Sequence, residues 1–198
     1  GSAQYVPINE KHPKVGQSPY SATKIGADSI AISFFRSFNM PVKIVRPFNI
    51  YGPRQSARAI IPTIGVQILN GSKKIKLGNL NAKRDLTFVK DTVEGFVEIS
   101  KNVIFNGDSV NIGMNQEISI GDLVNKISEI LNQKIEIISD KMRLRPEKSE
   151  VDRLMCDNSK LIKNTNWKPK YDLDKGLRET LKWIDENKLI FKHEIYNK

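Results

Sequence analysis

Apolar and polar positions alternate along the chain in two rhythms. Between Tyr20 and Asn39, Ile25, Ile30, Ala31, Phe34, Phe35 and Phe38 recur at helical spacing behind a proline suited to a first turn, and Pro41 ends the run. Val42 to Val45 is a short β-branched stretch that predicts a strand opening into the loop Arg46-Pro47-Phe48-Asn49-Ile50-Tyr51-Gly52-Pro53-Arg54. A helix is expected from Ile60 to Leu69, stopped by Asn70-Gly71, then a strand over Lys74 to Leu77 and an extended piece over Arg84 to Val89. Asp91 reads as the cap of a helix to Lys101, its carboxylate accepting from first-turn N–H groups. A strand at Val110 to Gly113 follows. The clearest helix starts at Ser119, with Ile120, Leu123, Val124, Ile127, Ile130 and Leu131 on one face. Ile135 to Ile138 predicts a strand, Ser159 to Lys163 a short helix, and Leu177, Leu181, Trp183 and Ile184 a final amphipathic helix opening at Leu173 or Asp174. Residues 3 to 16, with Pro7, Pro13 and Gly16, read as an irregular approach. Strands and helices in alternation predict an α/β fold.

Composition narrows the chemistry. The 198 residues, 39% hydrophobic, suffice for one core or one and a half small ones. No run nears the ~18 apolar residues of a membrane span, and the start lacks a secretory signal, so no membrane partner and a cytoplasmic location are expected. One cysteine excludes an internal disulfide and reads as a buried small residue. Two histidines leave no cluster with metal-ligand spacing. The net charge of +10 is dispersed among Asp and Glu rather than gathered in tracts. That pattern favours solvated lysine-rich faces and a small polyanion over nucleic acid.

Tyr20 and Lys24 stand four residues apart at the start of the first helix, so phenol and ammonium share a face. A free phenol titrates near pH ~10, and making one a proton acceptor near neutrality asks for about 4 kcal/mol, most of which an adjacent cation in a dry site can supply. The same spacing also occurs on ordinary solvated helix faces. No Gly-x-Gly-x-x-Gly follows a strand, so the chain contains no phosphate cradle of the dinucleotide-binding kind.

Four segments in order carry a resemblance: Ser18-Pro19-Tyr20-Ser21-Ala22-Thr23-Lys24, Arg46 through Gln55, Arg84-Asp85-Leu86-Thr87-Phe88-Val89-Lys90-Asp91, and Asn166-Trp167-Lys168-Pro169. From Ala3 onward the chain resembles the extended short-chain dehydrogenase/reductase family, the NAD-dependent nucleotide-sugar epimerases and dehydratases. The resemblance implies the C-terminal part of a Rossmann-type enzyme. Residues 1–70 would be a remnant of the nucleotide-binding domain, and 71–198 mostly a small α/β substrate-binding domain. The N-terminal glycine-rich βαβ unit and a third catalytic hydroxyl are expected upstream, with Gly1-Ser2 a vector remnant or loop tail.

The resemblance also implies roles. Tyr20 would be the base, Lys24 would hold the nicotinamide ribose and stabilise the phenolate, and Pro47 and Phe48 would lie beside NAD. Asn49, Arg84 and Arg145 would bind a UDP-sugar, Arg84 gripping its diphosphate, with Arg143 assisting Arg145. Glu147 replaces the glycine that usually follows the Arg145-Pro146 pair, so that loop is expected to be displaced. Arg54 and Arg58 read equally as substrate-loop or surface charges, and Trp167 and Trp183 as core. Gln55 to Ile64 joined to Ser18 to Asp28 most resembles the 4,6-dehydratases that act on UDP-N-acetylhexosamines in legionaminic-type pathways, so a dehydratase is favoured. A 4-epimerase and a catalytically incomplete sugar-nucleotide-binding fragment stay open. With Ile44, Phe34, Phe35 and Phe38 deprived of covering elements, a homodimer or larger assembly is expected.

Overall fold

The computed structural model describes residues 2–143 and 151–191. Helix α1 spans Pro19–Phe38. Its start is a capping box: Ser18 Oγ accepts from the Ser21 N–H at 3.2 Å, and Ser21 Oγ accepts from the Ser18 N–H at 2.9 Å. It ends at Asn39, left-handed at φ 52°, two residues before the expected proline stop.

Strand β1 (Ile44–Pro47) pairs in parallel with β6 (Ser109–Ile112). One residue later the chain begins β2 (Asn49–Tyr51), which pairs in parallel with β5 (Leu86–Phe88). The loop expected after Arg46 is thus a second strand, and the crossover falls on a single peptide step. The Phe48 N–H donates to Ile112 O at 2.8 Å, whereas the Asn49 N–H donates to Asp85 O at 3.2 Å.

Helix α2 is Ile60–Leu69, and β3 (Lys74–Leu77) pairs in parallel with β8 (Glu136–Ser139). The extended piece predicted at 84–89 is two strands, β4 (Lys83–Arg84) and β5, separated by Asp85. Strand β4 lies between β7 (Ile118–Ser119), antiparallel, and β9 (Arg153–Leu154), parallel. At two residues each, β7 and β9 are too short to show periodicity in sequence. Helices α3 (Val89–Lys101), α4 (Ile120–Ile130), α5 (Ser159–Asn164) and α6 (Leu173–Glu186) complete the mixed α/β fold.

Two buried clusters form. Ile61, Ile64, Ile75, Leu77, Leu123, Ile127, Leu177, Leu181 and Ile184 unite α2, β3, α4 and α6, with Tyr51 and Phe88 at one end. Ile99, Phe105, Val110, Ile112, Leu161 and Trp167 fill the space around β6, α3 and α5. The clusters alternate along the chain. Residues 44–47, 99–112 and 161–167 serve one, and 51–88, 120–127 and 177–184 the other.

Two buried carboxylates join these layers. Asp85 accepts from the Met114 N–H at 2.8 Å and the Cys156 N–H at 3.0 Å, and its own N–H donates to Leu154 O at 2.8 Å. Gly113 permits this crossing, since a Cβ there would lie 2.2 Å from the Cys156 Cβ. Asp91 does not cap α3. Phe88 occupies the N-cap position, and the Asp91 carboxylate accepts from Lys170 N at 2.9 Å and Tyr171 N at 3.0 Å. Trp167 Nε1 donates to the Asp91 carbonyl at 2.8 Å, so the adjoining loop, whose N–H groups have no secondary-structure partner, takes the carboxylate from the helix terminus. Ile44 is buried, contrary to the expectation that it had lost its cover, because β6 and α3 pack against β1. Phe34 and Phe38 are exposed as expected, and α1 contains no buried residue.

Replacing buried Asp91 by Ala removes the acceptor of the Lys170 and Tyr171 N–H groups, a cost of about 1–2 kcal/mol, read as a lower urea midpoint at unchanged slope. For Asp85, burial pushes the carboxyl above its ordinary range, although the backbone N–H groups of Met114, Cys156, Gln116 and Asn115 pull it down. A raised native-state value favours folding below the unfolded pKa of about 3.9 and loses that contribution as pH rises through the native one. The stability advantage of the wild type over Asp85→Asn is therefore expected to narrow from pH 4 upward in paired urea titrations.

Candidate active site

Two clefts lie on either side of the Phe48–Asn49 step. The first, about 530 Å³, is lined by Tyr20, Lys24, Asp28, Arg46, Pro47 and Phe48, with the segment around Ile8 to Val15 as its far wall. That segment is irregular, as expected, but firmly docked. Ile8 bridges in parallel to Cys156, and buried Asn111 donates through Nδ2 to Ile8 O at 3.1 Å while its N–H meets Glu10 Oε1 at 2.9 Å.

Tyr20 and Lys24 project from the same face of α1, with Lys24 Nζ 5.5 Å from the centroid of the Tyr20 ring. The ring is 72% exposed, so the phenol meets the cleft and not the hydrocarbon core. Their placement follows from helix geometry and the Ser18 cap alone. One turn beyond Lys24, the Asp28 carboxylate is engaged by Arg46, through Nε at 2.9 Å and Nη2 at 2.7 Å, and by Lys14 at 3.6 Å. Pro47 and Phe48 close the C-terminal end of β1, where open α/β sheets place ligands.

The second cleft, about 490 Å³, is lined by Asn49, Gln55, Arg58, Arg84, Asn79 and Arg143 over an apolar floor that includes Ile61, Leu77, Leu86 and Ile120. Among the described residues, three guanidinium groups and no carboxylate line it, a composition suited to an anion with an apolar or aromatic end. Arg84 is held by donating to Lys83 O at 2.8 Å, and Arg143 is oriented by Asp140 at 3.2 Å. The structure thus brings Tyr20, Lys24, Pro47 and Phe48 to one cleft and Asn49 and Arg84 to its neighbour. Arg145 lies outside the described residues.

Sequence reasoning left Arg58 undecided between cleft and surface, and the structure puts it in the second cleft. It assigned nothing to Asp28, Arg46 or His12. A signal for Asp28 was available, because it sits at i+4 from Lys24 and so continues the same helix face. No such signal existed for His12, which reaches the first cleft through the path of an irregular segment. Cys156 is buried and free, as its isolation in the sequence suggested. Trp167 is core, and Trp183 is half-buried against the larger cluster. Among the described residues, no group of His, Cys, Asp and Glu could hold a metal ion, and no helix is long and apolar enough to cross a membrane.

Comparison with known proteins gives this geometry a context. The profile of the family described as GDP-mannose 4,6 dehydratase matches residues 1–180. A putative UDP-glucose 4-epimerase of Methanocaldococcus jannaschii is 28% identical over 190 residues, covering 94% of this chain and 60% of its own length. Human dTDP-D-glucose 4,6-dehydratase is 28% identical over 186 residues, covering 91% and 52%. The chain therefore spans about half to three fifths of such relatives. Among solved structures, dTDP-glucose 4,6-dehydratase from Bacillus anthracis in complex with NAD superposes with a TM-score of 0.82 at 29% identity, over 97% of this chain and 60% of that one. The UDP-N-acetylglucosamine 4-epimerase of Methanobrevibacter ruminantium, solved with UDP-N-acetylmuramic acid, gives 0.83 at 26% identity, over 94% and 60%. With a family match across nine tenths of its length, the chain belongs to the GDP-mannose 4,6 dehydratase family, within the extended short-chain dehydrogenases/reductases that comprise the NAD-dependent nucleotide-sugar 4,6-dehydratases and epimerases.

Proposed function

We propose that this chain supplies the proton-accepting tyrosine and the sugar-nucleotide cleft of an NAD-dependent nucleotide-sugar 4,6-dehydratase. The observation that carries the reading is the junction of an exposed phenol, flanked by an ammonium, with an arginine-lined cleft on the far side of one peptide step. A sugar nucleotide lying across that step has its diphosphate among guanidinium groups and a sugar hydroxyl at the phenol.

The first cleft fits the nicotinamide-ribose end of a dinucleotide. Phe48 and Pro47 offer an apolar wall, and Lys24 a donor for ribose hydroxyls. The glycine cradle for the dinucleotide's phosphates is not among these 198 residues. When bound, NAD would supply the hydride acceptor for oxidation at C4 and return that hydride at C6 after loss of water. Tyr20 takes the proton of the C4 hydroxyl, and Lys24 stabilises the phenolate and orients the ribose. Asn49 contacts the sugar nucleotide, and Arg84 grips the diphosphate through its fork, with Arg143 and Arg58 alongside. Arg145 is proposed to join them. The nucleotide is read as UDP and the sugar as an N-acetylhexosamine; the protein is read as cytoplasmic. Division into a nucleotide-binding part, 1–70, and a mostly substrate-binding part, 71–198, remains part of this proposal.

A 4-epimerase shares the first oxidation, and the two similar archaeal proteins named above carry epimerase names. Incubation with NAD and UDP-N-acetylglucosamine separates the readings: a 4-keto-6-deoxy product from the full-length protein supports the dehydratase, the C4 epimer replaces it with the epimerase, and UDP binding without turnover by the 198-residue chain supports a binding fragment. Under the proposed role, Tyr20→Phe lowers kcat by about 100-fold or more with little change in KM. Arg84→Met weakens UDP binding by about 10- to 100-fold, measured calorimetrically, because a charged hydrogen bond to phosphate is lost. Ile30, Phe34 and Phe38 leave an apolar stripe open on α1, so we also propose a homodimer or larger assembly. Light scattering at micromolar concentration is expected to give at least twice the monomer mass.

A further inference from the structure

Asp28 and Arg46 meet inside the first cleft, and none of the roles above uses them. Tyr20, Lys24 and Asp28 follow one another at four-residue spacing, so Lys24 has a phenol on one side and a carboxylate on the other, each within reach of its flexible stem. Left to itself, a carboxylate at i+4 draws a lysine ammonium to it. The Lys24 ammonium instead sits over the Tyr20 ring. The reason lies across the cleft, where Arg46 on β1 directs both Nε and Nη2 at the same Asp28 oxygen, at 2.9 and 2.7 Å. Both side chains of that pair are about three-quarters buried, and Lys14 adds a longer, more exposed contact at 3.6 Å.

Resting on the proposed role of Tyr20 and Lys24, we propose that Arg46 is a positioning residue for the reaction. By occupying the Asp28 carboxylate, it denies Lys24 its alternative partner and keeps the ammonium at the phenol. The pair also ties α1, which has no buried residue, to β1 immediately before Pro47 and Phe48. An exposed lysine contact at 3.6 Å is worth under about 1 kcal/mol and cannot replace a two-nitrogen guanidinium contact.

Two measurements on the full-length protein test this. In crystal structures, Arg46→Gln is expected to bring Lys24 Nζ within about 4 Å of the Asp28 carboxylate, and the double variant Arg46→Gln/Asp28→Asn to return it to the Tyr20 ring. In kinetics, the single variant lowers kcat about tenfold with KM within about twofold, and the double variant recovers most of the loss, as does Arg46→Lys. A merely structural ion pair predicts the opposite order, since removing its second partner does not restore activity. Lys24 staying over the ring in Arg46→Gln, or a double variant as slow as the single, overturns the proposal. Absence of turnover in the wild type would sink the dehydratase and epimerase readings, while the crystallographic comparison still decides the role of Arg46.

Discussion

Asp85 is the joint on which the arrangement turns. Its carbonyl accepts from Asn49, its N–H donates to Leu154, and its two carboxylate oxygens take the N–H groups of Met114 and Cys156. Three stretches distant in sequence thus meet at one buried side chain and its peptide groups. A neutral group of similar size could not do this. All the side-chain partners are donors, and only a carboxylate presents acceptors in both directions. Because Asp85 holds the start of β2 beside β5, the chain leaves the β1–β6 pair at Phe48 and joins the other layer at Asn49. That step places Phe48 in one cleft and Asn49 in the other.

The two clefts are charged by different means. In the second, the guanidinium groups of Arg58, Arg84 and Arg143 gather along one lining, with Arg143 oriented by Asp140. In the first, Arg46 and Lys14 converge on the Asp28 carboxylate, which offsets part of the cleft's positive charge, and Lys24 sits apart at the Tyr20 end. The overall excess of positive charge, dispersed in the sequence, thus becomes local through folding. Other lysines and arginines lie on exposed faces in pairs such as Lys170 with Glu94 and Arg178 with Asp174, which contribute little to stability.

Much of the fold was legible because its elements are long enough for periodicity. The face of α4 through Ile120, Leu123, Val124 and Ile127 is buried as the spacing predicted, and so is the Leu177–Leu181–Ile184 stripe of α6. Short strands were not legible. β7 and β9 have two residues each, and β4 and β5 are parted by a residue whose side chain the sequence offers no reason to expect inside. The misreading of Asp91 has a similar cause. An acidic residue near a helix start has two possible uses, and the choice was made by Lys170 and Tyr171, nearly eighty residues away.

The sequence by itself determined what depends on neighbours within one helical turn. The Ser18 capping box, the shared face of Tyr20, Lys24 and Asp28, and the apolar stripes of the longer helices follow from backbone geometry that no tertiary contact has to supply. Tertiary structure decided everything that requires two distant segments to compete for the same hydrogen-bonding group. It gave Asp28 to Arg46 rather than Lys24, Asp91 to a loop rather than its own helix, and Arg58, Arg84 and Arg143 to a common cleft. Such contests are settled by burial, where an unpaired N–H or carboxylate is costly, and burial exists only once the chain has closed on itself.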